Sequence, residues 1–577
     1  MGWPYHLVDL THDEKHQRRL TLDRYAVYSQ LSALVPILAY QLYRLGAWVY
    51  SERQRAKVRY SAIPSSPGLK QSRTSTTGAV VRKWRSFVWW LEGEVAPTWG
   101  LRIHWIAGTS WMTWLLFLCV HQTGEDYLHI TKRFGAVAAA QFPLHYMLAM
   151  KSLYSPLNLA FGTSHEELNP WHRLQGRVIY GLLLLHATWY LNYFVQAGVL
   201  ATRLTTRVVI IGYVAFFLMN ILFSASLEKV RRWSYRVFFV VHLTVGMALP
   251  PLLFFHASHL RIYVTEALAL FIFDIICRKL DTITSYSTIT SVPHTKLVKI
   301  RVPVPPSKIQ RFRDAPGQHV YLQIPPESTP PYSSSPSIYE LLYNPFTIAS
   351  VSNTEVTLVL RTLHGPTTKA LEHLSHLSKA HPPLNIEGPI GSSRHFPNLA
   401  ADYDRILLVA GGVGSTFILP IYQHIRDQLV AESKSPDRVT VIWSMRSSSE
   451  ALWALDSSSQ ATSESEEGSS IQDDENVKIF VTGNDSHHGI NEPEPEDGSV
   501  EMSELSRKED EVGIRVTERD RPDLGRVVDG VFRKGEEERV AVLVCGPAEM
   551  AREMRGNVGR WVGKGRDVWF HDESFGW

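Results

Sequence analysis

Hydrophobic positions are spread unevenly along the chain: long apolar runs crowd the first 280 residues, and short alternating runs separated by turn residues fill the rest. The runs near 25–50, 101–122, 135–152, 173–196, 206–226, 236–258 and 261–278 are each close to the roughly 20 residues a helix needs to cross a hydrocarbon core. The pattern predicts about seven membrane-spanning helices, with the third and seventh short or interrupted. Residues 51–85 carry Arg53, Arg55, Lys57, Arg59, Lys70, Arg73, Arg82, Lys83 and Arg85, and Lys229, Arg231, Arg232 and Arg236 precede the sixth run. By the positive-inside rule both segments face the cytosol. Seven spans that begin outside satisfy this and leave everything after Lys279 in the cytosol. The opening MGWPYHLVDLTHDEKHQRRL has charges where a signal peptide has its apolar core, so the first span is expected to act as the signal.

From about residue 285 the period changes. KLVKIRVPV, HVYLQIP and VTLVLRTL are β-branched runs bounded by turns, which predicts a small antiparallel barrel. In a barrel that holds FAD, YNPFTIAS (343–350) supplies a strand-end aromatic and hydroxyls for the isoalloxazine, through Pro345, Phe346, Thr347 and Ser350. RTLHGPTTKALEHL (361–374) offers Gly365, Thr367 and Thr368 at a helix N-terminus for the pyrophosphate. DRILLVAGGVGSTFILPIYQHIRDQL (404–429) then reads as strand, glycine turn and helix, with Gly411, Gly412, Gly414 and Ser415 where a dinucleotide phosphate binds. RVTVIWSMRS (438–447) ends in Ser444 and Arg446, a place where a cation meets the 2′-phosphate of NADPH. ERVAVLVCGPAEMAREM (538–554) brings Cys545, Gly546 and Pro547 to the same sheet edge, beside the nicotinamide. Ser-, Glu- and Asp-rich stretches near 450–475 and 485–512 read as disordered insertions.

Composition narrows the field. A formal charge of +3 and no basic segment interleaved with aromatics argue against nucleic acid as a partner. Cys119, Cys277 and Cys545 are too far apart to suggest a disulfide framework or a thiolate metal site.

Ionisable side chains inside a span are costly and call for a function. His172 and His186 are 14 residues apart, and so are His242 and His256. Fourteen helical residues leave roughly a 40° offset and about 21 Å of separation. Each pair therefore shares a helix face, and two such helices can hold two stacked haems, His172 with His242 at the inner level and His186 with His256 at the outer. His259 fits the spacing less well than His256. His121, His129, His145 and His165 read as loop or interfacial residues.

Together these motifs resemble the fungal ferric and cupric reductases, a branch of the superfamily of the NADPH oxidases and, for the soluble half, of ferredoxin-NADP reductase. The resemblance covers about 100–577 and rests on RFGAVAAAQFPLHYML, the WHRLQGR…H and H…H spans, PGQ, NPFTIAS, GPIGSS, AGGVGST, CGP and the terminal HDESFGW. It implies two b-type haems, FAD and NADPH, a ferric or cupric acceptor, an iron permease or oxidase as partner, and a plasma-membrane location. It also implies that Gly388 and Gly391 line the flavin site, that Cys545 has a catalytic place, and that Phe575 covers the flavin with Trp577 close by. The chain departs from the family in having Asn344 where His is usual and Ile390 where Tyr is usual. A superoxide-producing NADPH oxidase would share every cofactor; a non-enzymatic scaffold or channel would need neither the paired histidines nor the glycine turn.

The expected architecture is a membrane all-α bundle of about seven helices with bis-histidine haem sites, followed by a cytosolic FAD-binding β-barrel and an α/β NADPH-binding domain of ferredoxin-NADP reductase type. Its parts are an N-terminal span and basic loop (1–100), a haem-binding domain (101–280), the barrel (285–395) and the nucleotide domain (400–577).

Overall fold

Two helix breaks in the first half lie beside a proline, while Pro170, Pro250 and Pro251 sit inside helices that run on. In the computed structural model, which describes residues 4–58, 76–97, 99–328, 342–377, 381–455, 474–483, 516–535 and 538–573, the first apolar run is two helices, α1 (His12–Leu31) and α2 (Leu34–Val58). Pro36 lacks an N–H, and its ring crowds the Ser32 carbonyl, which favours a break in the helix there. The third run divides in the same way into α5 (Tyr127–Ala140) and α6 (Phe142–Ala149), with Pro143 just past the break. Gln141 fills the second break: its Nε2 donates to the Ser29 carbonyl at 2.9 Å, and its Oε1 accepts from Gln175 Nε2 at 2.9 Å.

The chain separates into two compact units, Met1–Ala62 with Trp90–Asp281, and Ile63–Trp89 with Thr282–Gly576. The main helices of the chain before residue 282 are α1, α2, α3 (Thr76–Leu91), α4 (Arg102–Val120), α5, α6, α7 (His165–Gln196), α8 (Arg207–Ala225), α9 (Tyr235–His256) and α10 (Arg261–Asp281). Among the described residues α4, α7, α8 and α9 are long and apolar enough to cross a membrane. The other three runs do not reach that standard: two are broken near proline, and α10 carries Glu266, Asp274, Arg278, Lys279 and Asp281. Asp274 is buried and accepts from the Lys151 and Ser152 amides at 3.0 and 2.8 Å, which fixes the chain leaving α6.

In the second unit, β1 (Ile283–Tyr286), β2 (Thr288–Ser291), β3 (Leu297–Pro303), β4 (His319–Gln323), β5 (Asn344–Val351), β6 (Glu355–Arg361) and β7 (Pro383–Ile390) form one antiparallel sheet in the order β1-β7-β4-β5-β6-β3-β2. The end strands β1 and β2 are consecutive in sequence, so the sheet rolls into a nearly closed barrel. Its interior is filled by Val298, Ile300, Val320, Leu322, Val356 and Leu358. Helix α11 (Pro366–His376) follows β6.

The nucleotide domain has the parallel order β10-β9-β8-β11-β12, built from β8 (Arg405–Gly411), β9 (Val439–Met445), β10 (Val477–Val481), β11 (Val540–Cys545) and β12 (Val568–Glu573). Strand β8 is buried through Ile406–Ala410, as a central strand covered on both faces must be. Helices α12 (Ser415–Ala431), α13 (Leu524–Arg533) and α14 (Ala548–Gly563) cover it. The order reverses between β8 and β11, the switch point where open α/β sheets bind ligands.

Helix α3 belongs to this unit as far as Trp89. Arg85 pairs with Asp567 at 3.0 Å, Trp89 meets Phe570 edge-on at 5.5 Å, and the Arg555 guanidinium lies 4.3 Å from the Trp89 ring. The basic segment 51–85 is thus partly a component of the nucleotide domain; its residues Arg59, Lys70 and Arg73 lie outside the described residues.

The acidic insertions fall largely outside the described residues, but the bounds 450–475 are too wide. Trp453 is buried against Trp443 at 6.3 Å, and Asp474 accepts from the Tyr422 hydroxyl, from the Asn476 amide at 3.0 Å and from Arg426 at 3.5 Å. Large apolar burial and a satisfied carboxylate hold both flanks in the fold. Asp474→Ala strands the Tyr422 and Arg426 donors and should cost about 1–3 kcal/mol. Thermal unfolding of the soluble unit in the full chain should show a lower midpoint; an unchanged midpoint would remove Asp474 from the fold's supports.

Candidate functional site

The four paired histidines lie where the 14-residue spacing puts them, two on α7 and two on α9. His172 and His242 face each other with ring centroids 6.1 Å apart. Two imidazoles on one iron, each nitrogen about 2 Å from the metal, have centroids roughly 6 Å apart, so this pair fits a bis-histidine haem. His186 and His256 lie one 14-residue interval further along the same two helices. His259 lies beyond the end of α9, in the turn Ser258–Leu260, so the helix face belongs to His256.

The hydrogen bonds of these rings share one pattern. His172 Nδ1 is 3.1 Å from the His145 carbonyl, His186 Nδ1 is 2.8 Å from the Thr131 carbonyl, and His256 Nδ1 is 3.0 Å from the Val208 carbonyl. A carbonyl oxygen only accepts, so each Nδ1 is the donor and each neutral ring keeps its lone pair on Nε2. His242 reaches the same state by one more step. Its Nδ1 is 3.2 Å from Ser226 Oγ, whose own hydrogen is donated to the Leu222 carbonyl at 2.7 Å, so Oγ accepts from His242. All four side chains therefore present an unprotonated Nε2, the state a metal-bound imidazole requires.

Two glycines that sequence reasoning passed over make the Thr131 and Val208 bonds possible. Each accepting carbonyl already serves the helix amide four residues on, at Gly135 and Gly212. A Cβ at Gly135 would lie 2.7 Å from the His186 ring, and one at Gly212 would lie 2.5 Å from the His256 ring. The signal available in the sequence is a glycine inside each of two apolar helices that carry no haem-facing histidine. Three of the other histidines are not loop or interfacial residues. His129 and His165 are buried, and His145 stacks on His172 with centroids 4.0 Å apart and planes 13° apart. Packing onto neighbouring helices, invisible in spacing, draws them inward.

In the barrel, β5 carries Pro345, Phe346, Thr347 and Ser350, opposite Tyr321, Val320, His319 and Thr357 respectively. Thr347 is buried, and Phe346 is half-buried against the barrel core. Asn344 Nδ2 donates to Thr367 Oγ1 at 3.0 Å, so the two flavin motifs touch. Asn344 thus bridges strand and helix. Gly365 stands at the N-cap of α11 with no side chain closing the amides behind it. The Thr368 hydroxyl also closes its own turn, with the Leu363 and Gly365 carbonyls as alternative acceptors at 3.0 and 3.1 Å. Gly388 and Gly391 flank the end of β7, with Ile390 buried between them and paired to His319.

In the nucleotide domain, Gly411, Gly412, Gly414 and Ser415 form the turn from β8 into α12. Gly412 has φ 55°, the left-handed region that favours glycine. Gly546 and Pro547 abut Gly411, and the Cys545 carbonyl abuts Gly414, so the two predicted turns close on one another across the switch point. Ser444 is buried in register with Gly411, and Arg446 is exposed at the end of β9. Sequence reasoning missed Arg361 and Glu450. They pair at 2.6 Å, and the Arg361 Nη2 lies 3.3 Å from where a Gly412 side chain would begin. Arg361 ends a barrel strand some fifty residues before the glycine turn, and nothing in its local sequence points there. Glu573 is a further addition: it is in register with Cys545 and pairs with His571 at 3.0 Å. Phe575 and Trp577 lie outside the described residues.

Comparison with known proteins matches three family models in order along the chain. They are a ferric reductase like transmembrane component over 134–253, an FAD-binding domain over 284–394 and a ferric reductase NAD binding domain over 403–558. The chain is 27% identical over 358 residues to ferric reductase transmembrane component 1 of Schizosaccharomyces pombe, covering 55% of this chain and 60% of that protein. It is 24% identical over 499 residues to ferric/cupric reductase transmembrane component 2 of the same yeast, covering 77% and 80%. A probable metalloreductase of Scheffersomyces stipitis is 22% identical over 521 residues, covering 85% and 88%.

Burial, and after it the Glu573 carboxylate, push the Cys545 thiol well above its usual range. The thiol is therefore neutral at pH 8, and the thiolate is the reactive form. In the folded protein Cys545 should resist alkylation by iodoacetamide at pH 8 and become labelled on unfolding, as peptide mass spectrometry would show. Rapid labelling of the native protein would contradict this environment.

Proposed function

Because the chain belongs to the ferric reductase family, we propose that it carries electrons from cytosolic NADPH through FAD and two haems to ferric or cupric ion on the opposite face of the plasma membrane. The observation that carries this reading is the common state of His172, His186, His242 and His256, four imidazoles on two apolar helices, each with Nδ1–H donated and Nε2 left free. A scaffold or channel has no use for that arrangement.

When bound, FAD accepts a hydride and releases single electrons, which two haems relay one at a time. The side chains bind and orient. His172 and His242 hold the inner haem, and His186 and His256 the outer. Backbone amides of the Gly412 turn and of the start of α12 receive the nucleotide pyrophosphate, with Arg361 beside them as a cation. Phe346, Thr347 and Ser350 flank the isoalloxazine, while Thr367, fixed by Asn344, orients the open end of α11 toward the flavin phosphates. Cys545 and Glu573, at the ends of neighbouring strands, border the nicotinamide. Phe575, outside the described residues, is the residue that would cover the flavin ring, as the family resemblance implies. The basic segments 51–85 and 229–236 keep the flavin and nucleotide domains on the cytosolic side of the membrane. An iron permease or oxidase, taking up the reduced metal, is the partner.

Addition of NADPH to the purified anaerobic protein should reduce two haems per chain and drive ferric-chelate reduction at a rate that superoxide dismutase leaves unchanged. His186→Ala should lose one haem. A full haem complement in His186→Ala would sink the ligand assignment, and a rate abolished by the dismutase would make dioxygen the acceptor.

Arg446 selects the cofactor. It follows β9, where an acidic residue would favour NADH through the ribose hydroxyl. A charge-assisted contact to the 2′-phosphate contributes about 1.5–3 kcal/mol, so Arg446→Ala should lower the NADPH over NADH ratio of kcat/KM by roughly tenfold or more. Steady-state kinetics with both nucleotides measures it, and an equal ratio in variant and wild type would return Arg446 to the solvated surface.

A further inference from the structure

We propose that His145 is a positioning residue for the inner haem ligand, its imidazole face setting the plane of the His172 ring. The inference rests on the reading of His172 as a haem ligand.

Helix α6, which carries His145, is held from both sides. At its start Gln141 accepts from Gln175 of α7, and Tyr146 donates its hydroxyl to the Gly246 carbonyl of α9 at 2.6 Å. These two bonds fix α6 against the two histidine-bearing helices. Between them, the absent side chain of Gly176 admits the His145 ring: a Cβ there would lie 3.1 Å from His145 Cε1.

His145 then meets His172 twice. Its carbonyl accepts from His172 Nδ1 at 3.1 Å, and its ring covers the His172 ring at 4.0 Å with planes 13° apart. The two contacts do different things. The last side-chain torsion of a histidine is broad, so a single hydrogen bond to one edge leaves the ring free to rock about that bond. A face-on aromatic neighbour removes this freedom. Among the described residues no hydrogen bond reaches the buried His145 Nδ1, and the ring meets His172 with its face. The plane of an axial imidazole governs its overlap with the iron orbitals, and through it the spectrum and potential of the haem.

The test uses the purified full-length protein with His145→Ala and His145→Phe, both of which keep the carbonyl contact. Haem per chain is counted by the pyridine haemochromogen, and the low-spin signals are followed by electron paramagnetic resonance and redox titration. His145→Ala should move the largest g value of one haem and change its one-electron equilibrium constant at least threefold, or lose that haem, with the other haem unaltered. His145→Phe restores an aromatic face and should match the wild type. An alanine variant identical to the wild type overturns the proposal, and so does a phenylalanine variant as disturbed as the alanine one, since the imidazole nitrogens would then carry the effect. Fewer than two haems in the wild type would overturn the ligand reading itself, an outcome seen before any variant is compared.

Discussion

An imidazole can give only one nitrogen to a metal, and inside a membrane the other has no water to bond. A polar group there finds its partner within the protein or stays unpaired at a cost. In this chain that constraint reaches well beyond the histidines themselves. His186 and His256 take the second lone pair of helix carbonyls that already serve their own helices, and a side chain at the residue four positions on would close the approach. Glycine at 135 and 212 is the consequence. His242 meets the demand through a hydroxyl whose hydrogen is already committed, and His172 through the carbonyl of His145. The protonation state of four rings thereby ties α7 to α5 and α6, and α9 to α8 and the turn that follows it.

Proline supplies the matching irregularity. Pro143 lies just past the end of α5 at Ala140, and Gln141 with Gln175 and Ser29 forms the polar contacts of the break. The same break starts α6 where His145 can reach His172. A continuous helix through 127–149 would carry that ring to a different face.

Legibility of the fold followed the strength of the period. The barrel, the parallel nucleotide domain and the order of both could be read from alternating runs and glycine turns, because one strand period and one turn chemistry fix each element locally. The paired histidines were legible for a similar reason, since a repeated 14-residue interval is a property of a helix alone. What could not be read depended on packing between distant elements: the Arg361 and Glu450 pair over Gly412, the inward turn of His129, His145 and His165, and the glycines behind the ligands. Apolar run length also overstates helices, because it does not register a proline two or three residues after a break.

The docking of α3 makes the soluble unit discontinuous in the chain. Trp89 and Arg555, which touch through a 3.1 Å bond from the guanidinium to the Trp89 carbonyl, are 466 residues apart. During synthesis the segment that completes the nucleotide domain is made first and must wait, beside the membrane, for nearly everything else to emerge. A fragment beginning at residue 282 would leave the apolar seat of Trp89 on Phe570 and Gly559 open to water. The boundary between the membrane half and the soluble half is therefore not a point in the sequence where the chain can be cut.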